Sequence, residues 1–276
     1  PYEGGRSHVV EYLYRPLGEV EFREWALGGI EGDPVLGQWV PDVVHVDQRH
    51  HNRAPREDQE TERALAEGPE DFVFCYTADL DAVLHREGSG GAGVRERLAR
   101  YDVWLRAAAA AAAARGEELR LVLLSDHGMV DVRRSVDVMG VLAGLSSRWP
   151  RDYLPFLDST FARFWWRSPA ARGEVRAALD ALGGGHWLAE DELERAGALF
   201  PAREYGEDVF LLDPGVLMLP SFMGATPLAG MHGYDPAHPD MAALLACDHE
   251  VPAGVRHLTD VRALLGQELA WLRGAR

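Results

Sequence analysis

Leu121-Val-Leu-Leu-Ser-Asp-His-Gly-Met-Val130 is the most informative stretch of this sequence. Its apolar run ends abruptly in an aspartate, a histidine and a glycine, which is typical of a buried parallel strand that delivers polar side chains to the open edge of a sheet. Ligands of open α/β sheets bind just outside the carboxyl ends of the strands. Asp126 and His127 are residue types that bind divalent cations, and Gly128 lets the backbone turn sharply behind them. The stretch therefore predicts an α/β fold with a metal site at this edge.

Two further clusters supply residues of the same kind. Asp81 and His85 are separated by four positions, which places them on one face of a helical turn. His232 lies between Gly230 and Gly233, which free the backbone to present it. Each cluster alone also fits an ordinary structural role, as an exposed helix face, a cap or a hydrogen-bonding loop histidine. Together the three clusters supply two aspartates and three histidines, an inventory that suits a binuclear zinc site.

Apolar runs and helical patterns alternate along the chain, which is typical of α/β proteins. We predict a metal-binding core from residues 1–130 and 229–276, and a smaller inserted α+β cap from residues 131–228. The strand–helix–strand unit that ends at Leu124 should be parallel and right-handed. The predicted strands are Asp71–Tyr76, Leu119–Leu124, Ser159–Trp166, Val209–Leu212 and Val216–Leu219. The predicted helices are Val94–Arg115, Val138–Leu145, Pro169–Leu182 and Asp260–Leu272, and Glu11–Tyr14 and Val43–Val46 fit short strands or helix fragments.

Composition excludes several classes of partner and mechanism. The net charge of −16 repels phosphate polymers, so we expect no nucleic-acid partner, whereas a small anionic substrate is compatible with metal ions that neutralise it locally. The chain has no lysine, which excludes a Schiff-base mechanism. No run is long and apolar enough to span a membrane. Cys75 and Cys247 lie in apolar contexts and predict no disulfide framework, which mildly favours the cytoplasm; the oligomeric state stays open.

The three clusters resemble the alkaline phosphatase superfamily, and within it the type I phosphodiesterase/nucleotide pyrophosphatase family. The resemblance rests on Ser125-Asp-His-Gly-Met129, on Asp81-x-x-x-His85 and on Gly230-x-His-Gly-Tyr234. The continuation Asp235-Pro-Ala-His-Pro-Asp-Met241 is also similar to the family's segment after the histidine. On these motifs, the resemblance covers roughly residues 70–250.

The resemblance implies a three-layer α/β/α core with a mostly parallel sheet and two divalent metal ions, with zinc as the expected metal. One ion would be held by Asp81, His85 and His232. The other would be held by Asp126 and His127, completed by an upstream aspartate and a nucleophilic threonine. The implied reaction is hydrolysis of a phosphodiester or pyrophosphate bond in a small phosphate ester, by in-line attack and a phospho-enzyme that water resolves.

The nucleophile is where this chain departs from the family. No residue before position 70 follows an apolar strand in the expected way, Thr61 lies among acidic and arginine residues, and Thr77 lies in the wrong motif. We therefore assign no catalytic residue, and expect a chain that lacks the N-terminal nucleophile segment of an active parent. The alternatives are a phosphomonoesterase, phosphonate hydrolase or sulfatase-like member of the superfamily, or a non-catalytic metal-binding relative.

Other polar features fit structural roles at least as well as functional ones. Leu84 stands where relatives usually have glycine before the histidine. Asp158 to Arg163 resembles a stretch of bacterial members, which allows a substrate role or a strand with an internal ion pair. The pair His50-His51 fits a solvated charged segment better than a metal site. Tyr234, Asp235, His238 and Asp240 are candidates for supporting roles around the ligands.

Overall fold

The computed structural model describes residues 43–47, 72–203 and 205–274. The predictions for Glu11–Tyr14, His50-His51 and Thr61 lie outside these residues. Backbone contacts divide the described chain into two compact units. The discontinuous unit contains residues 43–47, 72–128 and 243–274, and the continuous unit contains residues 129–203 and 205–242. The predicted cap boundaries at residues 131 and 228 stay a prediction.

Both units contain helices and strands. The strands are β1 (Val43–Asp47), β2 (Phe72–Tyr76), β3 (Val122–Leu124), β4 (Val130–Asp131), β5 (Arg134–Val136), β6 (Tyr153–Leu157), β7 (Phe161–Trp166), β8 (Gly185–Trp187), β9 (Asp208–Leu212), β10 (Val216–Met218), β11 (Gly230–Met231) and β12 (Leu245–Cys247). The helices are α1 (Asp79–Glu87), α2 (Ala92–Arg115), α3 (Val138–Ala143), α4 (Pro169–Leu182), α5 (Glu190–Arg195) and α6 (Val261–Gly274). No helix of the described residues combines the length and the apolarity that crossing a membrane requires.

The discontinuous unit pairs β1 with β2 in parallel and β3 with β12 antiparallel. Its longest helix, α2, owes its length to the alanine run, since alanine has the highest helix propensity. Trp104, Ala108 and Ala112 are buried at a spacing of four residues, so they form one stripe along the helix. The helix ends at Gly116, whose φ of +70° is a left-handed conformation that glycine adopts without strain.

The continuous unit is built around an antiparallel sheet with the strand order β6-β7-β9-β8. The inner face of this sheet carries the main apolar core, in which Phe164 and Phe210 pack with Val175 and Leu179 of α4. Helix α4 begins at Ser168, whose hydroxyl caps the backbone N–H of Ala171. The outer face carries Phe156, Phe161, Arg163, Val209 and Leu211, as the strand register requires. Two short pairs, β5–β10 (parallel) and β4–β11 (antiparallel), complete the unit.

Most predicted elements are confirmed within one to three residues at each end, and α4 begins and ends where the proline and glycine signals place it. Several elements were not predicted, among them β6, β8 and α5. The mixture of helices and strands in both units agrees with the predicted α/β class. Because the pairs in the described residues are parallel only in β1–β2 and β5–β10, the mostly parallel core sheet stays a prediction.

One strand differs from its prediction. The run before Asp126 was predicted to be a buried parallel strand over Leu119–Leu124, but β3 has three residues, leaves Leu123 40% exposed and pairs antiparallel with β12. A short apolar run specifies neither its partner nor its burial, because both depend on residues far away in the sequence. Here the partner begins at Leu245, more than one hundred residues later.

Candidate active site

Asp81 and His85 lie one turn apart on α1, as their spacing predicts. His85 Nε2 is 3.4 Å from Asp81 Oδ1, and the side chains of His85 and Asp81 are 19% and 31% exposed, respectively. Leu84, where relatives have glycine, lies within the helix, and its backbone carbonyl accepts a hydrogen bond from the N–H of Gly88. This position therefore does not interrupt the helix that carries Asp81 and His85.

A hydrogen-bonded cluster anchors the first turn of α1 to α2. Asp79 accepts hydrogen bonds from the Thr77 hydroxyl at 2.7 Å and from the Tyr101 hydroxyl, and its carboxylate lies 2.6 Å from Arg97 Nη1. Burial, together with the hydrogen bond to Asp79, raises the pKa of Tyr101 well above its ordinary value. Because Asp79 lies two residues before Asp81, the cluster fixes the helix that presents Asp81 and His85. The Thr-x-Asp pattern at the helix start was a signal for Asp79 in the sequence, whereas nothing there indicated Tyr101.

Asp126 and His127 lie in the turn after β3. His127 Nδ1 donates a hydrogen bond to the carbonyl of Gly128 at 2.9 Å, since a carbonyl oxygen only accepts, so Nε2 is the ring nitrogen that would bind a metal. That Nε2 atom lies 3.5 Å from Asp126 Oδ1. Ser125 shapes the turn, since its hydroxyl donates to the carbonyl of His127 and accepts from the N–H of Leu244.

His232 belongs to the continuous unit, in the loop that follows β11. Gly233 has a φ of +86°, and a Cβ atom there would lie 2.7 Å from Thr160 Oγ1. The Thr160 hydroxyl donates to the carbonyl of Gly233 at 2.9 Å, and the buried Tyr234 hydroxyl donates to the carbonyl of Val216 at 3.1 Å. Burial raises the pKa of Tyr234 to about 12, so it remains a neutral donor. The motif therefore holds its histidine in a loop that only glycine at position 233 fits.

The two aspartate–histidine pairs of the discontinuous unit fit zinc in donor chemistry and in spacing. Imidazole nitrogen and carboxylate oxygen are usual zinc ligands, and bonds of about 2.1 Å in a tetrahedral site place neighbouring ligand atoms roughly 3.4 Å apart. The Nε2–Oδ1 distances of 3.4 Å in Asp81–His85 and 3.5 Å in Asp126–His127 agree with this separation. The structure thus places four of the five predicted ligands in one unit, and the joint ligation of a metal by His232 stays a prediction.

The remaining predicted candidates have local structural partners. Asp235 Oδ1 accepts from the N–H of Ala237, and His238 Nδ1 accepts from the N–H of Asp240, so both shape the loop after His232. Asp158 Oδ1 accepts from the N–H of Ser159, and burial raises the pKa of Asp158 although the charge of Arg163 opposes this rise. These contacts favour the structural interpretation of Asp158, Asp235 and His238.

The family model described as type I phosphodiesterase/nucleotide pyrophosphatase matches residues 5–180, more than half of this chain. The match begins well before residue 70, where the motifs predicted the resemblance to begin, and it does not include the His232 motif. A comparison with curated proteins finds no match.

Comparison with solved structures finds the same fold. Human ectonucleotide pyrophosphatase/phosphodiesterase 5 has a TM-score of 0.61 and 19% identity over 80% of this chain and 60% of its own. The murine protein, as an inactive threonine-to-alanine variant in complex with AMP, matches with the same values. Phosphonoacetate hydrolase from Sinorhizobium meliloti 1021, in complex with phosphonoacetate, has a TM-score of 0.52 and 16% identity over 75% of this chain and 55% of its own. The chain therefore spans somewhat more than half the length of these neighbours.

Proposed function

Because this chain belongs to the type I phosphodiesterase/nucleotide pyrophosphatase family, we propose that it is a metal-dependent hydrolase of phosphodiester or pyrophosphate bonds. The observation that carries the proposal is the pair of aspartate–histidine couples in the discontinuous unit. In both couples the imidazole Nε2 lies at the distance from the carboxylate that two ligands of one zinc ion require. A three-layer α/β/α core with a mostly parallel sheet, and an inserted cap at residues 131–228, belong to the same proposal.

The proposed metal centre contains two zinc ions. Asp81, His85 and His232 hold the first ion, as the family resemblance implies. Asp126 and His127 contribute to the second. The anchoring of α1 through Asp79, the hydrogen bond from His127 to Gly128 and the rigid loop around Gly233 support this assignment, because each fixes the orientation of a proposed ligand before metal binds.

When bound, the two ions supply positive charge that stabilises the attacking and leaving oxygens of an in-line displacement at phosphorus. The residues of this chain would fix the positions of the two ions. Asp81 and Asp126 partly neutralise it, and the turn of Ser125 fixes the backbone on either side of Asp126 and His127. A small substrate with one or two phosphates suits such a centre, since the rest of the chain is strongly acidic and repels longer phosphate polymers.

The nucleophile is not assigned among the described residues. The murine relative is inactive when one of its threonines is alanine, and the family resemblance implies a threonine here too. Thr77 does not fit this role, because its hydroxyl is engaged with Asp79 at the start of α1. We expect the first ion, with three proposed protein ligands, to bind more tightly than the second, for which this chain has two proposed ligands.

The substrate of the proposed enzyme is a small phosphate ester, with a nucleotide as the first candidate. The complex of the murine relative with AMP supports this choice. Phosphonate hydrolysis is the second candidate function, which the likeness to phosphonoacetate hydrolase favours. A phosphomonoesterase, a sulfatase-like enzyme and a non-catalytic metal-binding protein remain the further alternatives.

The test is metal content and hydrolysis measured on the same preparations of the full chain. We expect zinc to bind, and hydrolysis of bis(4-nitrophenyl) phosphate, at whatever rate it occurs, to require it. Asp126→Asn should abolish any hydrolysis and weaken the second ion, and His85→Gln should weaken the first. Asp235→Asn is the matched control, because Asp235 shapes the loop after His232 without being a proposed ligand. Zinc binding that is unchanged in both ligand variants, or diesterase activity that survives Asp126→Asn, contradicts the proposal.

A further inference from the structure

A cavity of ≈ 300 Å³ lies within the continuous unit, on the outer face of its main sheet. Its floor includes Phe161 and Arg163 of β7, and its wall is the segment between β8 and β9, which contributes Phe200 and Tyr205. The buried Tyr234 also lines it. Ligand pockets commonly measure about 300–1,000 Å³, so this volume suits a ligand of about one ring. None of the five proposed metal ligands lines it.

Arg163 is held in this cavity by aromatic rings. Its guanidinium carbon lies 4.3 Å from the ring centre of Phe156, 5.3 Å from that of Phe161 and 5.9 Å from that of Tyr205. These distances are within the range of cation–π attraction. The stem of Arg163 packs against Gly206, where an added Cβ would lie 3.1 Å from Arg163 Cβ. The arrangement fixes a planar cation beside apolar rings, which is a preformed partner for an anion that carries an aromatic ring.

The mouth of the cavity is also fixed by the fold. Trp165 Nε1 donates to the carbonyl of Arg203 at 3.0 Å, which ties the wall segment to the sheet. Phe200 and Tyr205 are 37% and 47% exposed, and their ring centres are 4.5 Å apart. Two rings in contact at an opening offer an aromatic ligand both a face and an edge.

The charges of the lining select the sign of the ligand. Among the described residues that line the cavity, the side chains that carry a charge at neutral pH are those of Arg163 and Arg203. This is unusual on a chain whose net charge is −16. Arg203 is ion-paired with Glu190, and the partly buried Asp158 lies near Arg163, so the pocket carries no large excess of positive charge. A guanidinium has five N–H donors, more than one carboxylate accepts from, so the two arginines can also donate hydrogen bonds to a ligand anion. We propose that this cavity is a binding site for a small anion that carries an aromatic ring, separate from the proposed metal centre.

The experiment is calorimetric titration of the full chain with phenylphosphonate in the presence of EDTA, so that metal-bound ligand is excluded. We expect saturable binding, and affinity weaker by roughly tenfold or more for cyclohexylphosphonate, for phenol and for inorganic phosphate, since each lacks the ring or the charge. Arg163→Gln should weaken phenylphosphonate binding to a similar extent. Arg151→Gln is the matched control, because Arg151 is an exposed arginine of the same unit that pairs with Asp152.

Phe200→Ala and Tyr205→Leu provide independent variants if Arg163→Gln fails to fold, because both side chains are partly exposed at the mouth and each should weaken binding severalfold. Phenol binding as tightly as phenylphosphonate overturns the role of the charge, and cyclohexylphosphonate binding as tightly overturns the role of the rings. No binding by the folded wild type overturns the proposal outright. Asp126→Asn should leave this binding unchanged, so failure of the proposed metal centre and failure of this site give different results.

Discussion

The Tyr101 hydroxyl on α2 donates a hydrogen bond to the carboxylate of Asp79, the first residue of α1. This contact joins two helices whose sequences show no common pattern, and it lies about half a turn before the proposed ligand Asp81. Arg97, one helical turn before Tyr101, reaches the other carboxylate oxygen of Asp79. The position of α1 therefore depends on residues of α2.

We predict that Tyr101→Phe lowers the free energy of unfolding by about 1 kcal/mol, the usual net value of one such hydrogen bond. Asp79→Ala should cost more, because it also removes the partner of Thr77 and Arg97. Both variants should weaken zinc binding in the same order, since both loosen the helix that presents Asp81 and His85. Urea unfolding and zinc titration measure the two effects. Tyr205→Phe, at an exposed tyrosine, is the control, and a loss of stability with unchanged zinc affinity in both variants would show that α1 keeps its position without the cluster.

Gly233 should tolerate no side chain. Its φ of +86° and the 2.7 Å that would separate an added Cβ from Thr160 Oγ1 predict that Gly233→Ala destabilises the fold by roughly 1–3 kcal/mol. Gly173→Ala is the matched control: a Cβ at this α4 position meets nothing within 4 Å, and alanine should stabilise the helix by roughly 0.5–1 kcal/mol. Thermal unfolding of both variants tests the pair. Equal effects of the two substitutions would contradict the role of Gly233.

Sequence patterns predicted those helices and strands whose own residues mark where they begin and end. Helix α4 has a capping serine, a proline at its start and a glycine after its end, so its bounds are local information. Asp81 and His85 share a helical face for the same reason, because their spacing alone fixes it once the helix forms. The glycines around His232 predicted a backbone conformation that favours glycine, and the φ of +86° at Gly233 confirms it.

What the sequence left open depends on contacts between distant residues. The partner of β3 is β12, and nothing in the sequence of either strand indicates that the two strands pair. Arg163 alternates with buried residues along β7, but two of the rings that surround it come from β6 and from the segment before β9. The same holds for the two aspartate–histidine pairs. Their spacing in the sequence predicts a shared helix face or turn, but the distances between the ligand atoms depend on the three-dimensional structure.

Glu174 should make the continuous unit sensitive to acid. Hydrogen bonds from the Ser147 side chain and from the backbone N–H groups of Ser146 and Ser147 lower the pKa of Glu174 from 4.5 to about 2. A carboxyl whose pKa is depressed in the folded state contributes stability that is present above its unfolded pKa and is lost as the pH falls through its folded pKa. This contribution is therefore complete above pH 4.5 and declines between pH 4.5 and 2.

We predict that Glu174→Gln lowers the melting temperature at pH 7 and makes it less dependent on pH between pH 4.5 and 2 than in the wild type. Melting temperatures across this pH range measure both effects. Glu194→Gln, at an exposed glutamate of α5, is the matched control and should leave the profile close to that of the wild type. A Glu174→Gln profile that runs parallel to the wild-type profile would exclude this carboxylate as a source of the acid sensitivity.

The two arginine–glutamate pairs Arg120–Glu268 and Arg115–Glu117 should differ in energy because they differ in burial. Glu268 is buried on α6 and accepts two hydrogen bonds from Arg120, at 2.7 and 3.0 Å, while His249 Nε2 lies 3.1 Å from its Oε1 atom. Arg120 also stacks over the ring of Trp271 at 4.6 Å. Glu117 is 56% exposed and meets Arg115 in solvent. Removing one partner of a buried pair leaves the other without compensation, whereas an exposed pair is screened by water.

We therefore predict that Glu268→Ala lowers the free energy of unfolding by about 3 kcal/mol and loosens α6, and that Glu117→Ala changes it by about 0–1 kcal/mol. Urea unfolding of the two variants gives both values. Raising the salt concentration should reduce the small effect at Glu117 and leave most of the effect at Glu268, since salt screens exposed charges more strongly than buried ones. Similar losses at the two positions, or a loss at Glu268 that salt removes, would mean that water reaches Glu268 and that α6 is held by its apolar residues, Leu264 and Leu269, instead.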